Sequence, residues 1–304
     1  MRLWIEAWSP EYGTSFDVSG SAPLEDRSAE LVNEVAWGPV APTAAPAPGL
    51  AFLDGVSRVD ARVFADTGGA PSAGLCGSVG VGAMLTNGSA KFGPCEVHRA
   101  AVFEPGRPVA FPPVSGSIAY QERPARGDRP EDVRAELERL RAEKEAALAA
   151  QLAGQGWVVI ADGRLQWLEP MSVVGYIKSH HRHYLFEELE KIVPELQPGE
   201  RTPLFALGDR HLSWYLCLAR PGAVHPWAGV VRCEVSAQLG VDRALELADL
   251  TASQLPRFAS PPFWDSRSPQ NLVPIATLER RLWHLLGDRE LVLRRIRAAV
   301  ARMP

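Results

Sequence analysis

Residues 130–163, PEDVRAELERLRAEKEAALAAQLAGQGWVVIADG, place a helix directly before a buried strand, and that order decides the fold class. Asp128 stands where it can cap the helix, and Pro130 falls in the first turn, where a missing N–H costs little. Val133, Leu137, Leu140, Leu148 and Leu152 recur at helical spacing, and Gly154 and Gly156 stop the helix. WVVIADG (157–163) is then short, apolar and β-branched, the pattern of a strand covered on both faces. VVGYIK (173–178) repeats that pattern.

Before the helix, LAFLDG (50–55) is an apolar run ending in Asp-Gly, and SRVDARVFAD (57–66) alternates apolar and polar residues at period two. With GLCGSVGVGAML (74–85) and EVHRAAVFE (96–104), residues 50–104 read as a meander of three or four strands. Residues 1–37 read as short strands and turns with a helix around Ala29–Val35. The linker GPVAPTAAPAPG (38–49) follows, and residues 105–130 form a long proline-rich loop. After residue 178 the pattern predicts a helix through HYLFEELEKIV (183–193) and strands in TPLFALG, HLSWYLCLA and AGVVRCEVS. Helices near 240–255 and 274–302 close the chain. This is an α/β order, with 1–49 as an N-terminal extension and 50–304 as one domain.

Composition narrows the function classes. The 304 residues carry a net charge of −4, so a nucleic-acid partner must be gripped locally and not by a globally basic surface. No apolar run approaches the ~20 residues that cross a bilayer, and MRLWIEAWSP lacks the pattern of a secretory signal. Cys76, Cys95, Cys217 and Cys233 form no C-x-x-C pair, which removes the common zinc-ribbon and thioredoxin readings and leaves buried small apolar residues. The expectation is a soluble, reduced, cytoplasmic protein.

The chemistry gathers at two similar phrases. Asp54 ends AFLDG and Asp162 ends VVIADG. Taken singly, each Asp-Gly is a turn signal. If their strands are neighbours, both carboxylates emerge at one sheet edge, and two such charges need a proton or a bridging cation. A hard divalent ion with oxygen ligands, Mn²⁺ or Mg²⁺, suits such a site, and a pair of ions can clamp both oxygens of a phosphodiester under attack. Glu136, Glu138, Glu143 and Glu145 on the preceding helix are candidates for a third carboxylate. They flank its apolar face equally, so periodicity does not choose among them, and each also reads as a solvated partner of a nearby arginine.

FLDGVSR, the helix glutamates, VVIADGRL, VVGYIKS and WDSRSPQNLVP (264–274) occur in an order that resembles the NurA family of DNA-end-processing nucleases, over about residues 50–280. The resemblance implies a ribonuclease-H-like mixed β-sheet flanked by helices, with a helical C-terminus. It implies a manganese- or magnesium-dependent nuclease that degrades DNA 5′→3′ from ends and cuts single strands. It further implies a homodimer docked on a HerA-type hexameric translocase, acting in end resection and double-strand-break repair at the nucleoid. By position, Asp54 and Asp162 match the family's two Asp-Gly aspartates. The family's helix glutamate lies somewhat under twenty residues before the second aspartate; Glu143 stands 19 before Asp162 and Glu145 stands 17 before, giving Glu143 first and Glu145 second. Lys178 matches the lysine that closes the Val-Gly-x-x-Lys strand and would hold phosphate charge. Asp265 matches a late acidic ligand, or else makes an Asx turn before Pro269. Relatives often carry a histidine shortly after that phrase, and NLVPIATLERR has none.

The remaining signals are weaker. His180, His181 and His183 in HHRH read as surface histidines, or as a cationic patch beside DNA phosphate in preference to a metal site; Arg58 and Arg267 are further candidate DNA contacts. Arg280, Arg281, Arg289, Arg294, Arg295, Arg297 and Arg302 belong to a solvated amphipathic helix or to a basic wall along a DNA channel. Trp214, Tyr215, Trp227 and Trp264 pack in the core or stack on bases. The competing function class is a catalytically inert scaffold that binds DNA ends or regulates a translocase. A glycosidase is disfavoured for want of an aromatic-lined sugar motif.

Overall fold

The computed structural model describes residues 2–5, 29–32, 35–43, 49–66, 71–106, 109–114, 116, 118–178, 183–220, 227–261, 264 and 268–303. In chain order the elements are β1 (Arg2–Ile5), β2 (Ala29–Leu31), β3 (Leu50–Asp66), β4 (Ser72–Asn87), β5 (Ser89–Phe103), β6 (Gln121–Pro124), α1 (Pro130–Gly154), β7 (Val158–Asp162) and β8 (Val173–Ile177). There follow α2 (Glu187–Glu190), β9 (Phe205–Leu207), β10 (His211–Cys217), β11 (Val230–Ser236), α3 (Val241–Gln254), α4 (Val273–Leu285) and α5 (Arg289–Val300). Among the described residues eleven strands form one sheet, ordered β2-β9-β10-β11-β8-β7-β3-β4-β5-β6, with β1 paired to the far half of β3. The architecture is a large mixed sheet flanked by helices.

The meander of β3, β4 and β5 is antiparallel, as is the run β8-β11-β10-β9-β2 at the other end of the sheet. The helix-strand unit read from residues 130–163 supplies the crossover. Because α1 intervenes, β7 joins β3 in parallel, with Leu53 opposite Ala161, and β8 joins β7 in parallel, with Asp162 opposite Tyr176. Alternation sorts the side chains. Phe52, Ile160, Val174, Tyr176 and Trp214 pack against α3 and Ile275 on one face. Leu53, Val81, Val159 and Ala161 pack against Leu137, Leu148 and Leu152 of α1 on the other. Leu137 is fully buried, and truncating it to Ala would cost about 2–5 kcal/mol. Beyond the bulge between Val59 and Ala61, α5 covers the far end of β3 through Val292, Leu293 and Ile296.

Four local expectations are corrected. Ala29–Leu31 is an edge strand, not a helix: pairing with β9 satisfies backbone groups that so short a segment could not satisfy internally. The helix over 183–193 shrinks to α2 and a 3₁₀ turn at Val193–Glu195, because Pro194 cannot donate a helical hydrogen bond. The closing helix is two helices. Gly287 takes φ +82°, and Asp288 caps α5 by accepting from the Leu291 N–H at 2.7 Å. Arg129, not Asp128, is the N-cap of α1, held by a reciprocal contact with Asp132.

Candidate metal centre

The two Asp-Gly phrases differ in the folded chain. Asp162 closes β7, and Gly163 turns the chain with φ +96°, so the turn reading holds there. Asp54-Gly55 lies inside β3 and makes no turn; Gly55 stays paired with Val81 of β4. The Gly is needed for another reason. A methyl group at position 55 would overlap Glu145 Oε1 and press on the Arg141 stem at 3.1 Å. Absence of a side chain lets the α1 glutamate reach the strand that carries Asp54.

Register does the rest. Leu53 pairs with Ala161, so the next residues, Asp54 and Asp162, leave the parallel strands at the same level. Lys178, one residue past the end of β8, donates from Nζ to Asp162 Oδ2 at 2.7 Å. Asp162 Oδ1 is buried with no hydrogen-bond partner among the described residues. Asp54 is 8% exposed, and among the described residues its Oδ1 accepts from the Gly55 N–H alone, at 2.7 Å. Burial first, and then the charge of Asp162, push the Asp54 carboxyl well above the usual carboxylate range; Lys178 opposes this and Glu145 adds to it. Burial also raises Glu145, against the pull of Arg141, and Asp162 raises it further. Asp54 thus lies in the field of Asp162, Lys178 and Glu145, and Glu145 in that of Asp162.

Among the described residues, no three His, Cys, Asp or Glu side chains are already arranged to hold a metal ion. Cations occupy the carboxylates instead: Lys178 sits on Asp162, and Arg141 donates from Nη1 to Glu145 Oε1 at 2.8 Å. The donor set nonetheless fits a hard divalent ion. It is all oxygen, it carries more negative than positive groups, and it includes one orphaned buried carboxylate oxygen, which costs about 1–3 kcal/mol or more if left unmet.

The other site expectations divide. Glu143 does not join the cluster: it is exposed, and Arg123 takes it in an ion pair at 2.6 Å that lowers its carboxyl below the usual range. Glu145 is the one of the two that turns toward β3, its Oε1 against Gly55. Glu136 is buried but bound by Arg123 and Arg139, and Glu138 accepts from Ser57 Oγ at 2.6 Å. Arg58, a candidate DNA contact, is turned inward. Its side chain is buried and spent on Asp60 at 2.7 Å and on the Gly287 and Leu286 carbonyls at 2.8 and 3.1 Å. His180, His181, Asp265 and Arg267 lie outside the described residues. His183 pairs with Glu190 at 2.6 Å.

Trp214 and Tyr215 are core residues, and Trp227 packs edge-on against Tyr215. Trp264 is 44% exposed beneath the Arg280 guanidinium, 5.7 Å from the ring centre. Arg294, Arg295 and Arg297 are exposed while Leu282, Leu286 and Ile296 are buried, as in a solvated helix packing on the core. All four cysteines are free, and three are buried. No described helix is long and apolar enough to cross a membrane.

No family model matches this sequence, and no curated protein does. Among solved structures, the crystal structure of the NurA nuclease from Sulfolobus solfataricus aligns with 83% of this chain and 86% of that one. The TM-score is 0.45 and the identity 11%. At those values the two chains share neither a demonstrated family nor a demonstrated activity.

Two features of the centre escaped the sequence. Ser57 and Arg141 read as a strand residue and a solvated arginine. The signal available was Arg141 four residues before Glu145, a spacing that makes neighbours on a helix.

Proposed function

We propose that the chain is a metal-dependent DNA nuclease, with Asp54, Asp162 and Glu145 holding Mn²⁺ or Mg²⁺. The observation that supports this reading is that Asp54 and Asp162 stand at the same level of two parallel strands, Asp54 buried and Asp162 with an orphaned oxygen. The ordered sequence phrases supply the substrate class: DNA, degraded 5′→3′ from ends and cut in single-stranded regions. When bound, the ion supplies charge for the scissile phosphate and acidifies water. The chain's own residues do the remainder. Asp54, from a buried position, and Asp162, from the end of β7, would offer carboxylate oxygens to the ion. Lys178 reaches from β8 to the same place and offsets charge on a phosphate once Asp162 engages the ion. Asp265, on the same sequence grounds, is the further ligand. Docking as a homodimer on a HerA-type translocase, a role in double-strand-break repair and a cytoplasmic, nucleoid-associated place belong to the same proposal.

The test is digestion of single-stranded DNA with Mn²⁺ by the full chain and by Asp54→Asn and Asp162→Asn. Loss of digestion in both variants, with folding intact, is expected. Retained digestion in both would remove the centre.

A second reading is favoured by one observation. The Lys178–Asp162 ion pair already neutralises one carboxylate without a metal, as suits an inert scaffold that binds DNA ends. Stabilisation of the fold by Mn²⁺ that vanishes in Asp54→Asn excludes it.

A further inference from the structure

A carboxylate that reaches an ion across a helix-strand gap must be held there, since a glutamate has three free torsions and ordering it costs up to about 2 kcal/mol. Arg141 is placed to supply that order. It bridges two glutamates of α1, donating from Nη1 to Glu145 Oε1 at 2.8 Å and from Nε to Glu138 Oε2 at 3.1 Å. The other oxygen of Glu138 accepts from Ser57 Oγ at 2.6 Å and faces Arg134 at 3.3 Å. Ser57 stands three residues after Asp54 on β3. A continuous chain, Ser57–Glu138–Arg141–Glu145, therefore ties the strand that carries Asp54 to the helix that carries Glu145. The stem of Arg141 also lies against Gly55, so the clamp rests on the Asp-Gly backbone itself.

Other arginines of α1 make ion pairs without this geometry. Arg139 pairs with Glu136, which belongs to a separate cluster with Arg123 and Arg126. Arg141 alone among the described arginines of α1 donates to the buried Glu145 carboxylate, the one that lies against Gly55.

We propose that Arg141 is a positioning residue of this centre, fixed by Glu138 and Ser57, that holds Glu145 in the orientation which lets it join Asp54 and Asp162 on a divalent cation. The proposal rests on the metal-centre reading above. It has an opposite: an arginine that merely neutralised Glu145 would compete with the ion, and its removal would tighten binding.

Calorimetric titration of MnCl₂ into the full chain separates the two, because it reads affinity and not activity. Removing a partner that orients a ligand weakens binding by about 10–100-fold; that loss is expected for Arg141→Ala. Arg141→Lys is expected to fall between wild type and Arg141→Ala, since an ammonium reaches one carboxylate where the guanidinium fork reaches both. Glu138→Gln, which keeps the shape and removes the charge that fixes Arg141, weakens binding less. Arg139→Ala changes stability and leaves the Mn²⁺ affinity at its wild-type value. If Arg141→Ala does not fold, the lysine and Glu138→Gln variants decide. Wild-type or tighter affinity in the Arg141 variants, with binding abolished in Asp54→Asn, overturns the positioning role and leaves the metal centre standing. Absence of Mn²⁺ binding by the wild-type chain overturns the metal centre and the positioning role together.

Discussion

Asp54 and Asp60 lie six residues apart on β3, both buried, and their surroundings are opposite. Asp60 has no exposed surface, yet it accepts from Arg58 Nε at 2.7 Å, from Tyr120 Oη at 2.8 Å and from Ser78, with Arg99 at 3.6 Å. The same two arginines reach the Leu286 carbonyl, so this network pins the end of α4 to the sheet. Among the described residues Asp54 accepts from a single N–H, and it lies in the field of Asp162 and Glu145, opposed by Lys178. Burial alone therefore does not mark a functional acid. What marks it is burial among charges of its own sign, which a fold tolerates only where something else is meant to bind.

Substitutions can break this contrast. The largest effect is on activity at the first site: Asp54→Asn or Asp162→Asn should lower Mn²⁺-dependent digestion of single-stranded DNA by about a thousandfold or more, on the order of 4 kcal/mol of transition-state stabilisation. Asp60→Asn should act on the fold instead. Breaking a buried, multiply bonded charge costs about 3–5 kcal/mol, read as a shifted midpoint in urea unfolding. A thousandfold loss of activity in a stable Asp60→Asn protein, or a collapse of stability in Asp54→Asn, would erase the distinction.

Gly55→Ala sharpens it, because the added methyl meets Glu145 and the Arg141 stem. Overpacking should cost about 1–3 kcal/mol in unfolding, and Mn²⁺ affinity should fall as Glu145 is displaced. The smallest effect is a pH dependence of stability in chelator. Because the folded Asp54 carboxyl lies above its unfolded value of about 3.9, its proton stabilises the fold at low pH, and that contribution is lost as pH rises through the folded value. An asparagine loses nothing. Asp54→Asn should thus melt above wild type at pH 8, with the gap closing as pH falls to about 4.

Sequence alone located the helix-strand unit at 130–163, the long meander and the apolar strands β7, β8, β10 and β11, because their periodicity is local. It also offered Asp54 and Asp162 as a pair on the condition that their strands are neighbours, and β3 and β7 do lie side by side. It could not choose among the α1 glutamates. That choice depends on how α1 rolls over β3, and Gly55 decides it by leaving a gap for Glu145. Nor could it separate Arg58 from a DNA contact, because the carbonyls that bury it lie 228 and 229 residues further along. Edge pairing of Ala29–Leu31 was hidden for the same reason: three residues carry no period of their own.

The most direct measurement is anomalous diffraction from a crystal of the chain soaked in Mn²⁺. A manganese peak about 2.0–2.5 Å from oxygens of Asp54, Asp162 and Glu145, with Lys178 released from Asp162, is the predicted result. A peak elsewhere, or none with the Lys178–Asp162 ion pair intact, would contradict it.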